Sequence, residues 1–136
     1  MMVSKEEAKL CKEIAKYYEK PITEYEQVIA SWPDDCMGDI VGVLHSIKEG
    51  IVLAKNMYLY PEEIIPLWTF EDAIEWLEEK GFIYITLSMQ TRSSFISAST
   101  KLELGKRDVK TAFGTTPLEA ILKVVLAVVK EENGKN

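Results

Sequence analysis

Between Ser4 and Glu79 the apolar residues recur mainly at three- and four-residue steps, and between Phe82 and Thr115 they alternate. The first spacing predicts helices and the second predicts strands. Ser4 with Glu7 forms a capping box, followed by the apolar face Leu10, Cys11, Ile14, Tyr17 and Tyr18, and Pro21 stops this helix near Glu19. Thr23 with Glu26 opens a second helix, on which Ile22, Tyr25, Val28, Ile29 and Trp32 share a face that ends before Pro33. Asp34 and Asp35 suit the N-terminus of a third, with Met37, Ile40, Val41, Leu44 and Ile47 buried. Gly50 either ends this helix or interrupts it, since Ile47, Ile51, Ala54 and Tyr58 keep the same phase. A connector bracketed by Pro61 and Pro66 follows. Thr69 with Asp72 then caps a helix that buries Ala73, Ile74, Trp76 and Leu77 and stops at Gly81.

Three strands are expected next: residues 82–89, about 95–104, and a third carrying Val109, Thr111 and Phe113, joined by turns at 91–94 and 105–108. Short turns make an antiparallel meander. Thr116, Pro117 and Glu119 give the last helix an N-cap, a first-turn proline and a capping box. Leu118, Ile121, Leu122, Val125, Leu126 and Val129 form its apolar stripe, and residues 133–136 read as a frayed tail. The expected class is α+β: a helical N-terminal region over 1–60, then α-β-β-β-α over 67–132, the two making one domain.

Composition narrows the functional classes. The net charge of -6 argues against a general nucleic-acid binder. No apolar leader opens the chain, and Glu119 and Lys123 interrupt its longest apolar stretch, so a cytoplasmic protein without membrane contact is expected. Cys11 and Cys36 read as reduced, packed thiols. His45 is the single histidine and lacks companions for a metal site, so it reads as a packed side chain. No nucleophile elbow, phosphate loop or paired-glycine fingerprint is present, so neither catalytic residues nor a cofactor are expected. Gly38 and Gly42, four apart, would let helices approach closely within the monomer or across a subunit boundary. The surplus of apolar residues before position 60, among them Trp32, Met37, Leu44 and Met57, points to a homo-oligomer.

The sheet carries the candidate chemistry. With Ile83, Ile85, Leu87, Ile96, Ala98 and Leu102 facing the flanking helices, the other face carries Phe82, Tyr84, Phe95, Lys101, Lys110 and Ala112 among small hydroxyl residues. Residues 82–116 hold five basic side chains (Arg92, Lys101, Lys106, Arg107, Lys110) against two acidic ones. The plain reading is a face covered by the N-terminal helices, with charges that solvate turns. The functional reading is a platform for a small anionic ligand: Phe82, Tyr84 or Phe95 would stack on a ring, and Arg92, Lys101, Arg107 or Lys110 would neutralise phosphates.

The segments Trp68-Thr69-Phe70-Glu71-Asp72-Ala73 through Gly81 and Thr116-Pro117-Leu118-Glu119-Ala120-Ile121, about half the chain, resemble the phage ABA-sandwich domain family. The resemblance implies a phage or prophage origin and no shared catalytic residue. The expected function is therefore a binding protein that counteracts a host defence, by occupying a host protein or by sequestering an anionic nucleotide-like signal. A structural module that only assembles into oligomers is the rival, and an enzyme comes third. The double-stranded-RNA-binding domain has the same element order, but its second helix opens on lysines, whereas this one carries only Lys123 before its last turn.

Overall fold

The computed structural model describes residues 4–32, 38–48, 50–53, 57–90, 93–100 and 109–134. The chain divides into two units: Tyr18–Leu67, and Met1–Tyr17 together with Trp68–Asn136.

The unit Tyr18–Leu67 overturns the expected helical N-terminal region. Its strands are β1 (Gln27–Trp32), β2 (Gly38–Ser46), β3 (Gly50–Leu53), β4 (Met57–Leu59) and β5 (Glu63–Pro66). They form one antiparallel sheet in the order β4-β3-β2-β1-β5. Val28, Ile29, Ile40, Val41, Val43, Ile51 and Val52 are β-branched, which favours the pleated sheet over the helix. Apolar residues on both faces of these strands erase the two-residue period, and what remains mimics helical spacing. Gly38 and Gly42 lie in β2 opposite Trp32 and Val28, so no helix pair uses them. The connector after Pro61 is β5, paired with β1. The expected capping bond at Thr23 persists, with its N–H donating to Glu26 Oε2 at 3.4 Å, but it closes a turn rather than a helix. Val28, Ala30, Leu44 and Ile51 form the core, and Ile22, Trp32 and Ile64 pack over it. The expected helix start at Asp34 and Asp35, and Cys36, Met37 and Ala54, lie outside the described residues.

The second unit holds α1 (Lys5–Ala15), α2 (Phe70–Glu79), a meander of β6 (Phe82–Gln90), β7 (Ser93–Thr100) and β8 (Val109–Gly114), and α3 (Pro117–Gly134). Ser4 Oγ accepts from the Glu7 N–H at 3.1 Å, but α1 stops at Ala15, short of Glu19. At α2 both arms of the Thr69–Asp72 box form, at 3.1 and 2.9 Å. The α3 helix runs on to Gly134, so residues 133 and 134 are helix rather than tail. It packs on β7 and β8 and also touches α1 and α2, which explains why Ala120, Ile121, Leu122, Val124, Val125, Val128 and Val129 are all buried. A helix covered on several sides is apolar well beyond one stripe. The Sγ of buried Cys11 accepts from the Trp68 N–H at 3.5 Å, fixing α1 to the chain entering α2.

Candidate functional site

The three-stranded sheet has one face toward α3 and one open face, and the strand register assigns each residue. Ser94, Ile96 and Ala98 are buried on the helix side. Their partners Leu87, Ile85, Ala112 and Lys110 share that side, because directly paired residues project to the same face. Two rows across the strands on the open face have all their side chains described: Ser88–Phe95–Phe113 and Thr86–Ser97–Thr111. The Phe95 and Phe113 rings stack at a tilt, with centroids 4.8 Å apart and planes at 46°. Phe113, next to the end of the edge strand β8, is 65% exposed, and no charged residue occurs in either row.

This arrangement redistributes the residues singled out from the sequence. Phe82 is 3% exposed and belongs to the helix side. A register shift between Phe82 and Tyr84 pairs Phe82 with Thr100, so the strand changes phase and Ile83, expected inside, is exposed. Lys110 points toward α3, where its ammonium pairs with Glu131. Phe95 lies on the open face, joined by Phe113 and Thr111. The Tyr84 backbone pairs with Ser99, and its side chain lies outside what is described. Arg92, Lys101, Lys106 and Arg107 also lie outside the described residues, as does Leu102.

The start of α3 holds the end of β8 in place. Gly114 admits the first turn of α3, since a Cβ there would lie 2.7 Å from the Ala120 nitrogen. Lys123 Nζ donates to the Phe113 carbonyl at 2.8 Å and approaches Glu119 Oε1 at 3.5 Å. Glu119 Oε2 accepts from the Thr115 hydroxyl at 2.6 Å and the Thr115 N–H at 2.7 Å, while Thr116 Oγ1 accepts from the Glu119 N–H at 3.1 Å. The glutamate of this capping box thus reaches one residue further back than Thr116. The Thr115 hydroxyl bond leads in holding the Glu119 carboxyl below the ordinary glutamate value; burial opposes it, and the Thr115 N–H and Lys123 assist. Phe113 is therefore presented on a firmly anchored strand end.

No family model, no curated protein and no solved structure matches this chain. The chemistry must be read from the surface itself. Among the described residues no three His, Cys, Asp or Glu side chains gather in a way that could hold a metal ion. No described helix is long and apolar enough to cross a membrane.

A second exposed surface, missed by the sequence reading, lies on the five-stranded sheet. The register places Gln27, Val43, Val52 and Tyr58 in one row on the face opposite the core cluster. At the end of the same face Tyr25 meets His45 edge-on, with centroids 5.4 Å apart, and Tyr60 lies against Gly50. Two signals were available: four of the six tyrosines occur between residues 18 and 60, and Tyr18–Leu67 holds nine acidic against three basic residues. Helical spacing hid them by placing Tyr58 in phase with Ile47, Ile51 and Ala54.

Proposed function

We propose that this chain is a non-catalytic binding protein of phage type that engages a protein of its bacterial host through the open face of the β6–β8 sheet. The observation that carries this reading is the exposed Phe113 ring against Phe95, beside a row of small hydroxyl residues with no charge. Covering the exposed 65% of one phenylalanine removes roughly 130 Å² from water and is worth about 3 kcal/mol. Among the described residues this aromatic patch carries no charge, which favours a protein surface over a phosphate-bearing ligand. The positions of Phe82 and Lys110 point the same way, since neither contributes to the open face. The resemblance to the phage ABA-sandwich family supports a role against a host defence.

The test is affinity capture from host cells with the wild type and with Phe113→Ser, followed by reconstitution of the captured protein with the purified chain. The proposal expects a defined partner that binds the wild type and is lost with the variant, while the melting temperature is retained. Undiminished binding by the variant would refute it.

A further inference from the structure

We propose that the tyrosine-walled surface of the Tyr18–Leu67 unit docks an extended, arginine-bearing segment of a partner protein. This inference is independent of the Phe95–Phe113 face, which lies on the other unit.

The geometry is that of a shallow trough. Its floor is Val43 and Val52, paired across β2 and β3, with Gly50 at the open end. Tyr25, 68% exposed, forms one wall, and Tyr58 and Tyr60, 46% and 70% exposed, form the other. The walls stand on strands three spacings apart, about 14 Å between backbones, which leaves room for one extended chain. Gly50 adds no side chain to the floor, and Tyr60 Cδ1 lies only 3.3 Å from where its Cβ would be. His45, half-buried, meets Tyr25 edge-on at the same end.

Backbone strain marks the same place. Tyr25 has φ 68°, a left-handed conformation that is unusual for a bulky residue. It is held by β-type bonds on both sides of Leu44: the Tyr25 N–H donates to the Leu44 carbonyl, and the Leu44 N–H donates to the Glu26 carbonyl at 2.9 Å. This conformation keeps a large ring out in solvent at a cost that glycine would avoid, and such strain concentrates at binding sites.

Charge identifies the occupant. The whole net charge of -6 resides in Tyr18–Leu67, because the remainder of the chain has thirteen basic and thirteen acidic residues. Exposed Glu24 adjoins Tyr25 on one wall, and exposed Glu62 follows Tyr60 and Pro61 on the other. Of the three basic residues, Lys20 is paired with Glu26 at 3.4 Å. Tyrosine faces flanked by carboxylates attract guanidinium groups by cation–π and ionic contact. The same field repels the phosphates of a nucleic acid.

The experiment uses the full chain and a labelled nonapeptide with arginine at alternate positions. A labelled peptide with glutamate at those positions and a labelled single-stranded oligonucleotide are titrated separately, and fluorescence anisotropy is the readout. The arginine peptide should bind, its affinity should fall with salt, and neither the glutamate peptide nor the oligonucleotide should bind. Tyr60→Ser and Tyr25→Gly should each weaken binding about tenfold. Tyr25→Gly should also raise the melting temperature, so lost binding cannot be ascribed to unfolding. Phe113→Ser should leave peptide binding unchanged, which separates this inference from the proposed function. Equal binding by the tyrosine variants, comparable binding of the oligonucleotide or the glutamate peptide, or no binding at millimolar arginine peptide would overturn it. So would sedimentation showing that Tyr60→Ser dissolves a dimer, because the trough would then receive a second copy.

Discussion

Gly50→Ala tests the strand assignment of the N-terminal half through a single methyl group. Gly50 opens β3, has φ 77°, and lies where an added Cβ would collide with the backbone carbonyl oxygen of Leu59 in β4. That oxygen cannot rotate away, because Ile51 and Leu59 are paired in the β3–β4 ladder. The left-handed backbone costs an L-residue about 1–2 kcal/mol, and forcing a methyl into a packed site costs about 1–3 kcal/mol more. The expected loss is therefore about 2–5 kcal/mol, a large part of the stability of a small protein. A helix running through Gly50 would instead gain about 1 kcal/mol from alanine, and a helix merely ending there would lose only about 1 kcal/mol. Urea unfolding followed by circular dichroism measures the difference. A gain, or a loss under 1 kcal/mol, would refute the β3–β4 geometry.

Three further outcomes are expected. Leu122→Ala should cost about 2–5 kcal/mol in the same assay, because the side chain is fully buried in α3. Glu119→Gln should cost about 1 kcal/mol near neutral pH. Because the folded carboxyl sits below the ordinary glutamate value of about 4.3, its contribution is present above that pH and is lost as pH falls through the folded value. The gap between wild type and Glu119→Gln should therefore close in acid, as pH-dependent melting will show. Phe113→Ser should change the melting temperature by no more than a few degrees while removing partner binding, because the ring is mostly exposed in the free chain.

What could be read from the sequence was local. The Ser4, Thr69 and Thr116 bonds at helix starts depend on residues three apart, and all three are present. The Tyr18–Leu67 sheet was hidden because its pairing joins distant residues and its strands carry apolar side chains on both faces. Val41 and Val43 are exposed while Leu44 and Ile51 are buried, and only the register separates them. Phe82 was misplaced because a one-residue shift in β6 leaves no trace in an alternating pattern. In β8 the large residues Val109 and Phe113 turn outward and Ala112 turns inward. Close approach of α3 at Gly114 favours small residues there, and Lys110 reaches Glu131 on the same side. The stacked Phe95–Phe113 pair depends on that phase and could not be read from residue order.

Site-specific photo-crosslinking from position 113 tests the proposed binding face most directly. A benzophenone side chain placed there, with another at exposed Glu75 on α2 as the control, is irradiated in bacterial host cells. The expected result is a discrete adduct with one host protein from position 113 and none from position 75. No adduct at 113, or the same adducts from both positions, would contradict the assignment of the open β6–β8 face as the binding surface.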